Sequence, residues 1–162
     1  LTETPKKERY AAARFDVYGA RFCILAARFN ETICDKLIEG AIRTLREHGV
    51  READIDVIRA PGAFELPLAA QRIAKGGQYE AIIAVATIIR GGTPHFEFVS
   101  GACTDGLLRV TLDYQLPLGF CVLTTDDVQQ AVDRSGDNDD NKGREAALAT
   151  LEMVSLFREL KD

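Results

Sequence analysis

Strand-length apolar runs and helix-period segments alternate along this chain. ARFCILAA (20–27) is the first apolar run. Ile33, Leu37, Ile38, Ala41, Ile42 and Leu45 then recur at helical spacing, with Asn30 placed as N-cap and Gly49 as the stop. IDVIRA (55–60) predicts a second strand. PGAFELPLAAQRIAKGG (61–77) reads as a turn, a helix and a glycine stop, and Pro67 is tolerable only near the first turn of that helix. AIIAVATII (81–89) is apolar on both faces, which marks a central strand covered on both sides. Thr93 as cap and Pro94 at the first helical position then open a long helix. LPLGFCVLTT (116–125) predicts the fourth strand, and Asp126 or Asp127 caps a short helix through Arg134. After the polar, acidic loop SGDNDDNKG (135–143), a final helix runs from about Gly143 to Leu160, with Ala147, Leu151, Val154 and Leu160 at apolar positions.

Four strand–helix alternations predict an α/β fold with a parallel sheet. Right-handed crossovers make it a three-layer α/β/α sandwich with a four-stranded, flavodoxin-like sheet. Neither an internal repeat nor a linker interrupts the pattern, so residues 1–162 form one domain. Residues 1–18 are polar and irregular and read as an arm, either disordered or docked on a partner.

A net charge of -5 argues against a nucleic-acid partner held by a broad basic face, but leaves room for a small phosphorylated ligand. Cys23, Cys34, Cys103 and Cys121 show neither C-x-x-C nor zinc spacing. Cys23 and Cys121 sit inside apolar runs as buried small hydrophobes, so a reducing compartment is expected, without disulfide or metal. With neither a signal peptide nor a membrane span visible, the cytoplasm is the expected location.

In parallel sheets ligands bind beyond the carboxyl ends of the strands. Three of those ends carry unusual residues: Arg28-Phe29-Asn30, Pro61 through Glu65, and Arg90 through His95. Glycines at 91 and 92 let a ligand approach the backbone, and the helix start that follows offers unpaired N–H groups at the positive end of its dipole. That suits a phosphate, although a plain strand-to-helix turn has the same pattern. His95 beside such a site is equipped for proton transfer, or is a surface histidine. Phe29 stacks on a planar ring or edges the core. Glu65 binds sugar hydroxyls or favours its own helix start. Arg134 and Lys142 flank the acidic loop and pair with Asp137, Asp139 or Asp140 unless a ligand claims them.

Taken together, RFN (28–30), PGAFELP (61–67), IIRGGTPHFEFV (88–99), GFCVLTT (119–125) and QQAVDR…NKGREAALATLEM (129–153) resemble the lumazine synthase family in residues and order. The resemblance spans about residues 16 to 160. It implies a transferase of riboflavin synthesis. This enzyme condenses 5-amino-6-(D-ribitylamino)uracil with 3,4-dihydroxy-2-butanone 4-phosphate to 6,7-dimethyl-8-ribityllumazine, releasing phosphate and water, with no cofactor and no metal. The site residues it implies are Phe29 stacked on the pyrimidine, with Asn30, Thr87 and the backbone at Ile88 and Ile89 around that ring. Ala63, Phe64 and Glu65 would meet the ribityl chain. Gly92 and Thr93 would hold the phosphate, His95 would shuttle protons, and Arg134 would pair with the phosphate in bidentate fashion. Lys142 would approach the pyrimidine and Phe120 would close the ring pocket.

The resemblance also implies a homo-pentamer with sites between subunits. Phe120, Arg134 and Lys142 would come from the neighbour, and the N-terminal arm would add a strand to the adjacent sheet. Two positions depart from the family pattern: Ala86 stands where glycine is common, and SGDNDDNKG is acidic where shell-forming members often carry a glycine-lysine turn. The spacing from Arg134 to Lys142 permits a sixty-subunit shell, while the acidic loop favours the free pentamer. Two other classes stand beside the enzyme. One is a flavin-binding or storage oligomer without turnover. The other is a flavodoxin-type electron carrier, for which RFNETIC offers only Thr32 as a phosphate-loop hydroxyl.

Overall fold

The computed structural model describes residues 14–160. Within them the order is β1 (Phe22–Ala27), α1 (Glu31–Glu47), β2 (Ile55–Ala60), α2 (Leu66–Gly76), β3 (Ala81–Ile89), α3 (His95–Tyr114), β4 (Leu118–Thr125), α4 (Val128–Asp133) and α5 (Lys142–Glu159). All strand pairs are parallel, in the order β2-β1-β3-β4. This is the flavodoxin-like order and the expected three-layer sandwich.

The two-residue period of the strands sorts the core into two halves. Phe22, Ile24 and Ala26 of β1, with Ile83 and Val85 of β3, pack under α1, α4 and α5. Cys23, Leu25 and Ala27, with Ile82, Ala84 and Ala86, pack under α2 and α3. β3 is buried along all but its last residue, as its two-sided apolar run requires. Each fully buried isoleucine there contributes roughly 1.5–3 kcal/mol. β2 lies at one edge with Val57 and Ile58 exposed. The arm that the resemblance would lay against a neighbouring sheet falls mostly on residues 1–13, outside the described residues.

Several boundaries differ from the sequence expectation for local reasons. Pro94, not Thr93, is the N-cap residue of α3, and the helix begins at His95 without a side-chain cap bond. The Thr93 hydroxyl accepts the His95 N–H only at 3.5 Å, while Glu97 N–H already bonds the Pro94 carbonyl at 3.1 Å. The turn expected ahead of α2 is a 3-10 turn over Ala63–Glu65, and the first turn of α2 holds Pro67 as expected. α5 starts one residue before Gly143, capped by Asn141. Asp127 caps α4 by accepting the Gln130 N–H at 2.8 Å. Leu160, expected among the apolar positions of the last helix, is half exposed. No helix among the described residues is long and apolar enough to cross a membrane.

Candidate active site

β1 and β3 lie side by side, yet the chain leaves them in opposite directions, towards β2 and towards β4. A crevice therefore opens at their carboxyl ends, the switch point where open α/β sheets bind ligands. A cavity of about 820 Å³ occupies it. Phe29 and Asn30 from the end of β1, Ala63, Phe64 and Glu65 from the 3-10 turn, Thr87 to Ile89 from β3, and Thr93 and His95 from the start of α3 all line it. Residues expected from three separate stretches thus share one cavity. Gly92 is exposed beside it, while Gly91 lines it.

The wall at β1 is held by a contact that sequence reasoning missed. Asn30 was expected as a conventional side-chain N-cap. Instead it takes a left-handed conformation (φ 59°, ψ 46°) and makes no cap bond. Its Nδ2 donates to the Thr87 carbonyl at 2.8 Å. The reason lies in the sheet: β1–β3 pairing ends at Ala26 and Val85, so the Thr87 carbonyl lies beyond the last backbone partner. The Asn30 amide supplies the missing donor, and asparagine is among the few residues that tolerate this backbone. On the other side, Arg28 and Phe29 N–H groups donate to the carbonyls of Ala60 and Pro61. Tied at both sides, Phe29 stands with 72% of its surface exposed, an aromatic lip over the crevice rather than a core edge.

At the opposite end, neither Gly91 nor Gly92 needs a positive φ, and the space beside both is open. With no side chains at these positions the backbone N–H groups ahead of α3 stay uncovered. Arg90 fixes this turn. Its guanidinium pairs with Glu97 in the first turn of α3 and with Asp126 after β4 (3.0 Å), and lies 4.3 Å from the Phe96 ring centre. The Glu97 carboxyl is held below the usual carboxylate range, first by this bond to Arg90. Arg90 is thus engaged within the chain and leaves the helix start to a ligand. Glu65 makes no ion pair among the described residues, and its carboxylate folds back towards Gly62.

Phe120, Arg134 and Lys142 are not in this cavity. They line a second one of about 510 Å³ along β4 and the start of α5. Phe120 is 48% exposed there. The expected pairing of Arg134 and Lys142 with the loop aspartates does not occur. Arg43 takes Asp137 (2.5 Å) and Arg144 approaches Asp139 (3.8 Å). Arg134 Nη1 donates to the Gln130 carbonyl at 3.0 Å, and Lys142 pairs with Glu145 at 2.6 Å. These arginines approach the loop from α1 and α5, so local spacing gave no hint of them. They also offset part of the acidic charge that composition assigns to this loop.

All four cysteines are free and buried, as read for Cys23 and Cys121. Burial pushes the Cys23 and Cys121 thiols up to about 12 and Cys103 to about 11. At neutral pH they are thiols, not nucleophiles.

Residues 19–158 match the family model described as 6,7-dimethyl-8-ribityllumazine synthase. A curated relative of that name from Nitratidesulfovibrio vulgaris (strain DSM 19637 / Miyazaki F) is 48% identical over 147 residues. The match covers 91% of this chain and 94% of the relative. The family-model match takes in every strand end that builds the two cavities. By sequence and by the architecture beneath it, the chain belongs to the 6,7-dimethyl-8-ribityllumazine synthase family.

Proposed function

We propose that the chain condenses 5-amino-6-(D-ribitylamino)uracil with 3,4-dihydroxy-2-butanone 4-phosphate to 6,7-dimethyl-8-ribityllumazine, the penultimate step of riboflavin synthesis. The observation that carries this reading is the switch-point cavity. One wall presents an exposed aromatic ring, another a free carboxylate, and the third a bare-backbone helix start beside an imidazole. Phe29 stacks on the pyrimidine, whose edge meets the backbone at Ile88 and Ile89. Asn30 and Thr87 brace that pocket. Glu65, with Ala63 and Phe64, meets the ribityl hydroxyls. Gly92 and Thr93 hold the phosphate.

The chemistry asks for positioning and proton transfer. The 5-amino group attacks the ketone carbonyl, and water leaves as the imine forms. The carbon–oxygen bond to phosphate then breaks by elimination, and phosphate departs at the helix start. The ribityl-bearing nitrogen closes the ring on the remaining carbonyl with loss of water. The sequence contains no external oxidation or reduction. His95, next to the phosphate end, moves the protons that these steps release and consume.

The complete site forms between neighbouring copies in a homo-pentameric ring, with Phe120, Arg134 and Lys142 supplied by the neighbour. Their gathering in a separate cavity on the other edge of the sheet supports this arrangement. Mixing the protein with both substrates and following lumazine fluorescence against a protein-free control tests the function. Acceleration is expected. Pyrimidine binding without acceleration would leave a flavin- or lumazine-binding oligomer.

A further inference from the structure

Asn141 is only 4% exposed, in a loop otherwise dominated by solvated charge. Its Oδ1 accepts the Arg144 N–H at 3.1 Å and caps α5. Its Nδ2 donates to the Lys36 carbonyl of α1 at 3.3 Å and to the Gly136 carbonyl of the loop at 2.9 Å. One amide therefore joins three segments, and all of its contacts are satisfied. Two glycines clear the space for it. A Cβ at Gly40 would lie 2.3 Å from the Asn141 Oδ1, and one at Gly143 would lie 1.9 Å from the Leu37 carbonyl oxygen. The next residue carries the connection onward: Lys142 N–H donates to the Arg134 carbonyl at 2.9 Å.

We propose that Asn141 is the positioning residue for Arg134, setting where its guanidinium meets the phosphorylated ketone across the subunit boundary. This rests on the role given to Arg134 above. The loop's ion pairs are poor alternatives for the task. Arg43–Asp137 and Arg144–Asp139 are largely solvated, and such pairs hold little. The buried amide acts on both ends of the loop at once. An asparagine amide offers an acceptor to the cap and donors to two carbonyls, and glutamine would carry the same groups one methylene too far out. Aspartate keeps the cap but turns the donors into a charge facing those carbonyls. Serine keeps the cap without the reach.

The test is a double-mutant cycle on the full chain, read as kcat/KM for 3,4-dihydroxy-2-butanone 4-phosphate. Asn141→Asp is expected to lower it by about tenfold, in keeping with the effect of small misplacements at a reacting group. In the Arg134→Ala background the same change should lower it by less than about twofold. Equal losses in both backgrounds would show a general structural effect and overturn the proposal, as would wild-type turnover in Asn141→Asp. Circular dichroism verifies folding. If the aspartate variant does not fold, Asn141→Ser goes through the same cycle with the same expectations. If Arg134→Ala alone leaves kcat/KM unchanged, the role of Arg134 falls and this proposal with it. Loss in Arg134→Ala with additive effects removes Asn141 alone.

Discussion

The bond between Asn30 and Thr87 gives the sharpest stability prediction. The Thr87 carbonyl belongs to a residue only 3% exposed, and the Asn30 amide is the donor that reaches it from beyond the end of β1. Leaving such a carbonyl unpaired costs about 1–3 kcal/mol. The left-handed backbone at φ 59° adds about 1–2 kcal/mol for a residue that, unlike asparagine or glycine, does not tolerate it. Asn30→Ala incurs both terms and should lose about 2–5 kcal/mol. Asn30→Gly loses the bond but relieves the backbone, and should be about 1 kcal/mol less damaging than alanine. Asn30→Asp tolerates the backbone yet aims a carboxylate at the carbonyl, so this seemingly conservative change should be no better than glycine. Urea unfolding at a single protein concentration measures the shift in midpoint at constant slope. Wild-type stability in the aspartate variant, or alanine matching glycine, would refute the reasoning.

His95→Ala should slow turnover by about 10²–10⁴-fold while pyrimidine binding by titration stays close to wild type; unchanged turnover removes His95 from the chemistry. Stability should fall as pH rises from about 9 towards 12. Cys23 and Cys121 (each about 12, from an ordinary 9.0) and Tyr79 (about 12, from 10.0) keep their protons in the folded state, the thiols through burial and Tyr79 chiefly through its bond to Asp56. The unfolded chain loses those protons first, so this contribution is full below about pH 9 and fades above it. A melting temperature that stays flat between pH 8 and 11 would contradict this. Sedimentation should give a particle of about five times the 17.8 kDa chain, and a megadalton species would mean a closed shell instead.

Much of the architecture was legible because it is written locally. The spans of β2 and β3 are those read from the apolar runs at 55–60 and 81–89, since strand length and two-sided burial leave few alternatives. Helix boundaries near proline slipped by a residue, because Pro94 is already turning at ψ 0° before the helix begins. Long-range partners were out of reach. Nothing around Asn30 points to a carbonyl 57 residues away, nor does anything around Asn141 point to Lys36, 105 residues back. A cap-like asparagine before K-G-R-E was the available hint for the second; the first has none, because an asparagine N-cap reads the same whichever way its amide turns. The strand-end residues were legible as a set because α/β topology gathers them, whatever their separation along the chain.

Phe29 and His95 open on one cavity, and Phe120 and Arg134 on another. If the two meet only across a boundary between copies, a defect in one half is not a property of a chain but of a junction. Two inactive proteins, one lacking His95 and the other Arg134, would then cure each other when unfolded and reassembled together. About one junction in four in an evenly mixed ring would hold both intact halves. Heredity at such a locus would show two recessive lesions that restore function in combination, though neither chain is whole.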